Sequence, residues 1–299
     1  MSSLSTLIPS NLSLNEFSSF SEFEKAVLAK DKTESLLSTL ELGLRSANLS
    51  QAFSLGYRCA LQRLCPELNQ KEWAAFCVTE ESGAHPKKLK TTVSAKGVLN
   101  GAKSFVSMAD RAKQLLIIAV EGYAEDRPIL KAVQVELPVI GLDLTVLPSM
   151  GMLPGVAHGK LVLNEVQGSI LKGDGYLDFN KKFRSIEDAH LLMAFTSLIL
   201  SKVVRCKLND NLIDDCMVII TSLLNLEFDD KPFNVLQFSG LYRSFDLLKF
   251  KFEEGFKNSS SDFFREWNRD SKVFTLANKA KKINRNKAVA GLLKGEVSI

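Results

Sequence analysis

A short β-rich stretch inside an otherwise helical pattern is the feature that most constrains the fold. Residues 99–120 read LNGAKSFVSMADRAKQLLIIAV. This pattern predicts a strand, a polar turn and a second, buried strand. The fold must therefore hold a strand pair between helical regions.

The chain divides into three zones by pattern. Over residues 14–75 apolar residues recur at three- and four-residue spacing, which predicts helices. From Phe76 to Leu171, short β-rich runs alternate with Gly, Pro and charged turns, and Asn100-Gly101 is a tight-turn signal. From Asp178 onward the helical pattern returns. We expect an α+β fold in which residues 1–75 form a helical domain, 76–172 a small β-barrel domain and 173–299 a helical bundle.

Local signals set some of the helix boundaries. Ser21, followed three residues later by Glu24, is a candidate capping box at the start of an early helix. IEDAHLLMAFTSLILSKVVRCKL, residues 186–208, predicts a long helix buried on most of its surface. Further helices are expected around 209–226, 234–256 and 262–292.

Composition indicates an ordinary globular protein. The 299 residues can bury a sizeable core, and 45% are hydrophobic against 24% charged. The net charge of +4 does not by itself demand nucleic acid, which we consider an improbable partner. Basic residues nevertheless crowd the C-terminal end. They form either a solvated helix face or a site for phosphates or an acidic partner. These residues are Arg265, Arg269, Lys272, Lys279, Lys281, Lys282, Arg285 and Lys287.

The five cysteines show neither CxxC pairing nor metal-ligand spacing. Buried free thiols in a reducing compartment are the simplest interpretation. The N-terminal residues lack the pattern of a signal peptide, and no apolar run is long enough to span a bilayer. We therefore expect a cytoplasmic protein with no metal site and no membrane span.

Generic catalytic motifs are absent from the sequence. There is no GxGxxG after a strand and no phosphate-binding P-loop. His85, His158 and His190 are far apart and form no metal-binding pair, so a structural or surface role is expected for each. Glu187 and Asp188 stand beside His190 near a helix start. They either complement the helix dipole or form a polar cluster at the mouth of a pocket.

The middle zone resembles the acyl-CoA dehydrogenases. FCVTEESGAHPKKLK is similar to the TEP-GAGSD segment of that family, and LNGAKSFVS to its LNGxKxxIT hairpin. LPSMGMLPGVAHGKLVLNEV and ILKGDGY resemble the segments that follow, in the same order, over residues 76–176. The resemblance implies a β-domain wall against which the isoalloxazine ring of FAD lies, between two helical domains.

The resemblance also implies individual roles. Phe105-Val106-Ser107 stands where the family has Trp-Ile-Thr, which keeps an aromatic face and a hydroxyl group. Ala84-His85-Pro86 replaces the family's Gly-Ser-Asp. RCKLNDNLIDDC falls where family residues reach FAD across a dimer interface. The implied FAD contacts are Thr79, Phe105, Val106, Ser107 and Arg205, and the implied substrate contacts are His85 and His190.

The family's general base has no counterpart at its usual position. RDSKVFTLANKAKKINRNKAVAGLL resembles the segment that carries this base, and Asn278 aligns with the glutamate. Some members carry the base on the long buried helix instead, at the position of Ala189. Asn278 cannot accept the α-proton of an acyl thioester, and a positioned base contributes about 10²- to 10⁴-fold in rate. Asp188 or Glu187 is the candidate displaced base.

Two functions follow from the resemblance. The first is an FAD-containing oxidoreductase that acts on the CH–CH group of acyl thioesters such as acyl-CoA, with impaired or altered activity. The second is a degenerate, non-catalytic member that serves as a binding or scaffold protein. Because the family's C-terminal helices pack across subunits, a homo-oligomer is expected in either case.

Overall fold

A computed structural model describes residues 4–30, 35–228, 232–256, 261–275 and 278–294, in which helices flank a β region on both sides. The N-terminal helices are α1 Leu4–Leu12, α2 Phe20–Ala29, α3 Leu36–Gly43 and α4 Leu49–Leu64. The strands are β1 Ala74–Cys77, β2 Thr92–Val93, β3 Val98–Ser107, β4 Gln114–Ala124, β5 Arg127–Glu136, β6 Leu142–Val146, β7 His158–Gln167 and β8 Ser169–Ile170. The C-terminal helices are α5 Lys181–Arg205, α6 Asn211–Leu224, α7 Pro232–Gly255, α8 Asp262–Asp270 and α9 Asn278–Leu293.

Helix α2 begins two residues earlier than the capping-box prediction. The N-cap is Ser19, whose hydroxyl accepts a hydrogen bond from the Glu22 amide at 3.1 Å. The Glu22 carboxylate in turn accepts from the Ser18 amide at 2.8 Å. The predicted capping residue Glu24 instead accepts a hydrogen bond from the Trp73 indole at 2.6 Å. Both serines have a glutamate three residues later, so the local signal alone could not choose between them.

The strands form one mixed sheet in the order β6-β7-β3-β2-β4-β5-β8, and β1 pairs in parallel with β4. Strands β3 and β4 lie where the sequence predicted two strands. The two strands are not adjacent in the sheet, because β2 lies between them. β1 also lies near both strands, since the Ser104 amide of β3 donates to the carbonyl of Thr79, two residues beyond β1.

Asn100 and Gly101 do not form the predicted turn but lie inside β3. Gly101 has a φ of +139°, and a Cβ there would stand 2.7 Å from the Thr91 Cα. The glycine is therefore required because two backbones approach closely, at an irregularity in the β3–β7 register.

Strand β4 is buried on both faces, as its continuous apolar run predicted. One face lies in an apolar cluster made by the β region alone, and the other joins the large core that the helices share. The first face carries Leu115, Ile117 and Ala119, and the second Leu116, Ile118 and Val120. The helices on both sides of the β region thus pack against one face of the sheet.

The single helix predicted over 262–292 is interrupted. Helix α8 ends at Asp270, a 3₁₀ turn covers Ser271–Thr275, and α9 begins at Asn278. The Asp270 carboxylate is buried and accepts a hydrogen bond from the Leu153 amide at 2.7 Å. It also pairs with Arg269, so it ties the end of α8 to the loop between β6 and β7.

Among the described residues, no helix has the length and apolar character needed to cross a membrane. Nor do these residues contain a group of three or more His, Cys, Asp or Glu side chains that could hold a metal ion.

Candidate cofactor and substrate site

A β-bulge near the end of β3 exposes an aromatic ring. The β3–β7 register shifts between Lys103 and Val106, where two residues of β3 oppose one of β7. Ser104 turns its amide to the Thr79 carbonyl at 2.8 Å, while the Val106 side chain is fully buried. Bulges re-aim side chains, and the Phe105 side chain here is 40% exposed.

His158 supports the Phe105 ring. The two ring centroids are 4.4 Å apart at an interplanar angle of 31°, and Ser107 pairs with His158 in the β3–β7 register. Burial lowers the pKa of His158, so the neutral imidazole is favoured. No specific role for His158 could be predicted from the sequence, because its partner lies about fifty residues away along the chain. The sequence feature that could have pointed to a site role for His158 is its position at the start of β7, after a loop rich in Gly and Pro.

A buried ion pair fixes the strands behind this surface. The Lys103 ammonium group donates to the Glu80 carboxylate at 2.8 Å and to the carbonyls of Ile118 at 2.7 Å and Val78 at 3.3 Å. Burial tends to raise the pKa of Glu80, but the hydrogen bonds and charge of Lys103 outweigh it, so this pKa lies below its usual range. The pair thus holds the Thr79–Glu80 segment against β3 and β4.

His85 lies on an adjoining loop. Its side chain is exposed, and its Nδ1 atom accepts a hydrogen bond from the Lys87 amide at 3.3 Å. The Glu80 carboxylate binds the Lys90 amide at 2.7 Å, which brings the end of this loop beside Thr79. The structure therefore gathers Thr79, Phe105 and Ser107 around the bulge, with the His85 loop next to them.

The two candidate carboxylates on α5 point in different directions. Phe183 packs on Phe76 at 4.7 Å between ring centroids, and also on Tyr57 at 6.0 Å. Glu187 is one helical turn beyond Phe183 and therefore lies on the same face, toward α4 and β1. Burial raises the pKa of the Tyr57 hydroxyl, and the Glu187 charge adds to this effect.

Asp188 faces the helices instead. Burial raises the pKa of the Tyr242 hydroxyl on α7, and the charge of Asp188, which faces this hydroxyl, raises it further. Ala189, at the position where some relatives carry the base, is fully buried. Glu187 lies on the face of α5 that packs on Phe76 and Tyr57, and its charge also raises the pKa of Tyr242, although less than the charge of Asp188 does.

Two predicted site residues lie elsewhere. His190 is fully buried in α5, where its Nδ1 atom hydrogen-bonds to the Ile186 carbonyl at 2.7 Å. Arg205 ends α5, about 33 Å beyond Phe183 along the helix. Its guanidinium group donates to the Leu14 carbonyl at 2.7 Å. Within this chain neither residue joins the bulge. Asn278 begins α9, and its side chain lies outside the described residues.

The whole architecture matches solved structures of one kind. "PigA with FAD and proline" superimposes with a TM-score of 0.70 and 15% identity, over 96% of this chain and 97% of that chain. Butyryl-CoA dehydrogenase from Megasphaera elsdenii gives 0.65 and 13%, over 97% and 100%. The chain has the acyl-CoA dehydrogenase fold. The prolyl acyl carrier protein oxidase AnaB shares this fold, with a TM-score of 0.67 and 13% identity over 96% of this chain and 97% of AnaB.

The likeness lies in the structure rather than in the sequence. No protein-family model matches the chain, and no curated protein matches it significantly. The alignments nevertheless run across nearly all of the chain, so the helices on both sides and the sheet between them all belong to the acyl-CoA dehydrogenase fold. This agrees with the fold expected from the resemblance of the middle zone.

The residues around the bulge suit the ring system of a flavin. The partly exposed Phe105 ring offers a flat apolar face, and two residues with hydroxyl groups are close by in the backbone: Ser107 two positions later in β3, and Thr79, whose carbonyl binds the Ser104 amide. For the phosphate groups of FAD, the described residues of this chain offer fewer candidate contacts. Arg205, the one predicted contact outside the β region, is bound to Leu14 and Ser201 and pairs with Glu16.

Proposed function

We propose that the chain is an acyl-CoA dehydrogenase-like flavoprotein that acts on acyl thioesters, with an activity altered by the loss of the usual base. One observation carries this proposal. An exposed aromatic ring, Phe105, is held on His158 at a β-bulge, in a fold whose solved examples include an FAD complex. The Phe105 side chain is 40% exposed, although it is a large apolar ring.

The chain's own residues would hold and shield the flavin ring. Phe105 would offer a flat apolar face to the flavin ring, and Thr79 and Ser107 would supply hydrogen-bonding groups. FAD, when bound, supplies the capacity to accept a hydride from the substrate. The protein contributes orientation, because the buried Glu80–Lys103 pair fixes Thr79 relative to the bulge.

Glu187 is the group to which we assign the proton transfer. Oxidation between the α and β carbons of a thioester requires a base at the α carbon. The Glu187 carboxylate lies on the face of α5 that packs on Phe76 and Tyr57, whereas Asp188 faces Tyr242. A base displaced from the usual position predicts slow turnover, because catalytic efficiency depends strongly on geometry.

A non-catalytic role is the second candidate. Its support is the pair of positions where relatives carry the base, which here hold Asn278 and Ala189. In this case the protein binds a flavin or a thioester without oxidising it.

We further propose that the protein assembles as a homo-oligomer through its C-terminal helices. Large apolar side chains are exposed there, among them Val218 on α6 and Phe250 on α7, at 60% and 61%. Size measurement by light scattering tests this directly, since substitution of both residues by Ser should leave monomers.

Anaerobic titration of the FAD-reconstituted protein with acyl-CoA thioesters from C4 to C16 tests the proposed function. Bleaching of the flavin absorption by any of them supports the dehydrogenase. Flavin that is retained but never bleached supports the binding protein instead. Failure to retain any flavin contradicts the dehydrogenase and leaves only the non-catalytic role.

A further inference from the structure

A lysine-rich loop lies beside the candidate site. Residues 85–90 read HPKKLK, and Lys87, Lys88 and Lys90 are all exposed. These six residues carry a charge of +3, against a net charge of +4 for the whole chain. None of the three ammonium groups forms an ion pair with the described residues. The nearest acidic side chains in sequence are Glu80, which is bound to Lys103, and the exposed Glu81.

The loop is held in place by specific hydrogen bonds. The Glu80 carboxylate accepts from the amides of Lys90 at 2.7 Å and Thr91 at 3.1 Å. The Ser82 hydroxyl donates to the Lys88 carbonyl at 2.9 Å, and His85 caps the turn through the Lys87 amide. A surface lysine cluster that only keeps the protein in solution does not require such a scaffold.

The same scaffold links the loop to the bulge. Glu80 follows Thr79, whose carbonyl binds the Ser104 amide immediately before Phe105. One buried carboxylate therefore anchors the lysine loop and, through Lys103, the strand that carries the exposed ring. The loop with the three exposed lysines and the bulge are thus fixed to the same buried carboxylate.

We propose that Lys87, Lys88 and Lys90 bind the phosphate groups of the phosphopantetheine arm that carries the acyl thioester. This inference rests on the proposed function, because it assumes a thioester substrate. Acyl thioesters are carried on pantetheine that ends in phosphate, either within coenzyme A or on a carrier protein. Lysine ammonium groups are point charges suited to such phosphates, and attraction between exposed charges weakens with salt.

Binding of four probes, measured by calorimetry on the full chain, tests the proposal. The probes are coenzyme A, 3′-dephospho-coenzyme A, 4′-phosphopantetheine and pantetheine. The variant carries Lys87→Ala, Lys88→Ala and Lys90→Ala. The matched control carries Lys25→Ala, Lys71→Ala and Lys113→Ala, which remove three exposed lysines from other surfaces. Circular dichroism shows whether each variant remains folded.

We expect coenzyme A to bind more tightly than pantetheine, with an advantage that falls as salt rises. The loop variant should lose roughly tenfold or more in coenzyme A affinity, consistent with the loss of three charge-assisted contacts. The control should not change, and pantetheine should bind all three proteins alike. If 4′-phosphopantetheine also binds more tightly than pantetheine, the lysines bind the 4′-phosphate, which is present both in coenzyme A and on carrier proteins. If only coenzyme A binds more tightly than pantetheine, the lysines bind the 3′-phosphate of the nucleotide, and the proposal is overturned.

Equal binding of coenzyme A and pantetheine by the wild type overturns the proposal, as does undetectable binding of coenzyme A. Equal losses in the loop variant and the control also overturn it. These measurements need no flavin. A protein that prefers coenzyme A but never retains FAD would therefore reject the proposed function and leave this inference standing.

Discussion

The ammonium group of Lys103 lies 2.8 Å from the carboxylate of Glu80, and both side chains are buried between three strands. Lys103 uses its remaining hydrogen-bonding capacity on the carbonyls of Ile118 and Val78. A buried pair of this kind contributes little net stability compared with an apolar pair, but removing one partner leaves an uncompensated charge. The pair therefore fixes how β1 lies against β3 and β4.

We expect Lys103→Met to destabilise the protein by about 3–5 kcal/mol, because Glu80 would be left buried without its counter-charge. Urea unfolding followed by circular dichroism measures the loss. The matched control is Lys113→Met, at an exposed lysine just before β4, which should change stability by less than about 0.5 kcal/mol. A loss below about 1 kcal/mol for Lys103→Met would show that the pair does not hold the strands.

Gly101→Ala should also destabilise the protein, by about 2 kcal/mol or more. An added Cβ would meet the Thr91 Cα at 2.7 Å, and the φ of +139° is unfavourable for alanine. Gly122→Ala, in strand β4 of the same sheet, is the control, since a Cβ there has nothing within 4 Å. Equal unfolding midpoints for the two variants would contradict the close approach of β3 to Thr91.

The stability of the protein should depend on the protonation of His158. Its pKa in the folded protein is lowered by burial, so the unfolded chain binds the proton more readily. The stabilising contribution is present above the ordinary histidine pKa and is lost as the pH falls through the lowered one. His158→Phe should therefore lose less stability than the wild type between pH 8.0 and 5.5. Parallel losses in the two proteins would be the opposite result.

Glu187→Gln should abolish any bleaching of the flavin by acyl-CoA, with a loss of at least about 100-fold in rate, because a carboxamide cannot accept the α-proton. Asp188→Asn should retain bleaching, since Asp188 faces Tyr242 rather than the β region. Stopped-flow absorbance under anaerobic conditions measures both rates. The assignment fails if Asp188→Asn loses the activity and Glu187→Gln keeps it.

Patterns within short segments predicted much of this fold. The alternation of helical and β-rich zones, the positions of β3 and β4 and the double burial of β4 all follow from residues close together in sequence. The resemblance of the middle zone to the acyl-CoA dehydrogenases added the overall architecture, which the structural comparisons support.

The features that could not be predicted depend on contacts between residues far apart in the sequence. The tight-turn interpretation of Asn100-Gly101 was wrong because the glycine serves an approach to Thr91, not a chain reversal. The helix break after Asp270 reflects a hydrogen bond to Leu153, more than a hundred residues away. The Phe105–His158 contact joins two strands by a pairing that no local pattern specifies. All of the predicted site roles stay predictions, namely those of Thr79, His85, Phe105, Val106, Ser107, Glu187, Asp188, His190 and Arg205.

Equilibrium binding of FAD to the wild type and to Phe105→Ala tests the central claim most directly. Visible absorption and flavin fluorescence report binding during a titration with FAD, and Tyr123→Ala, at an exposed aromatic ring on β4, is the matched control. We predict that the wild type and the control retain FAD and that Phe105→Ala binds it about tenfold more weakly or worse, since stacking on an aromatic face contributes roughly 1–3 kcal/mol. A wild type that retains no FAD, or equal affinities for all three proteins, would contradict a flavin site on this surface.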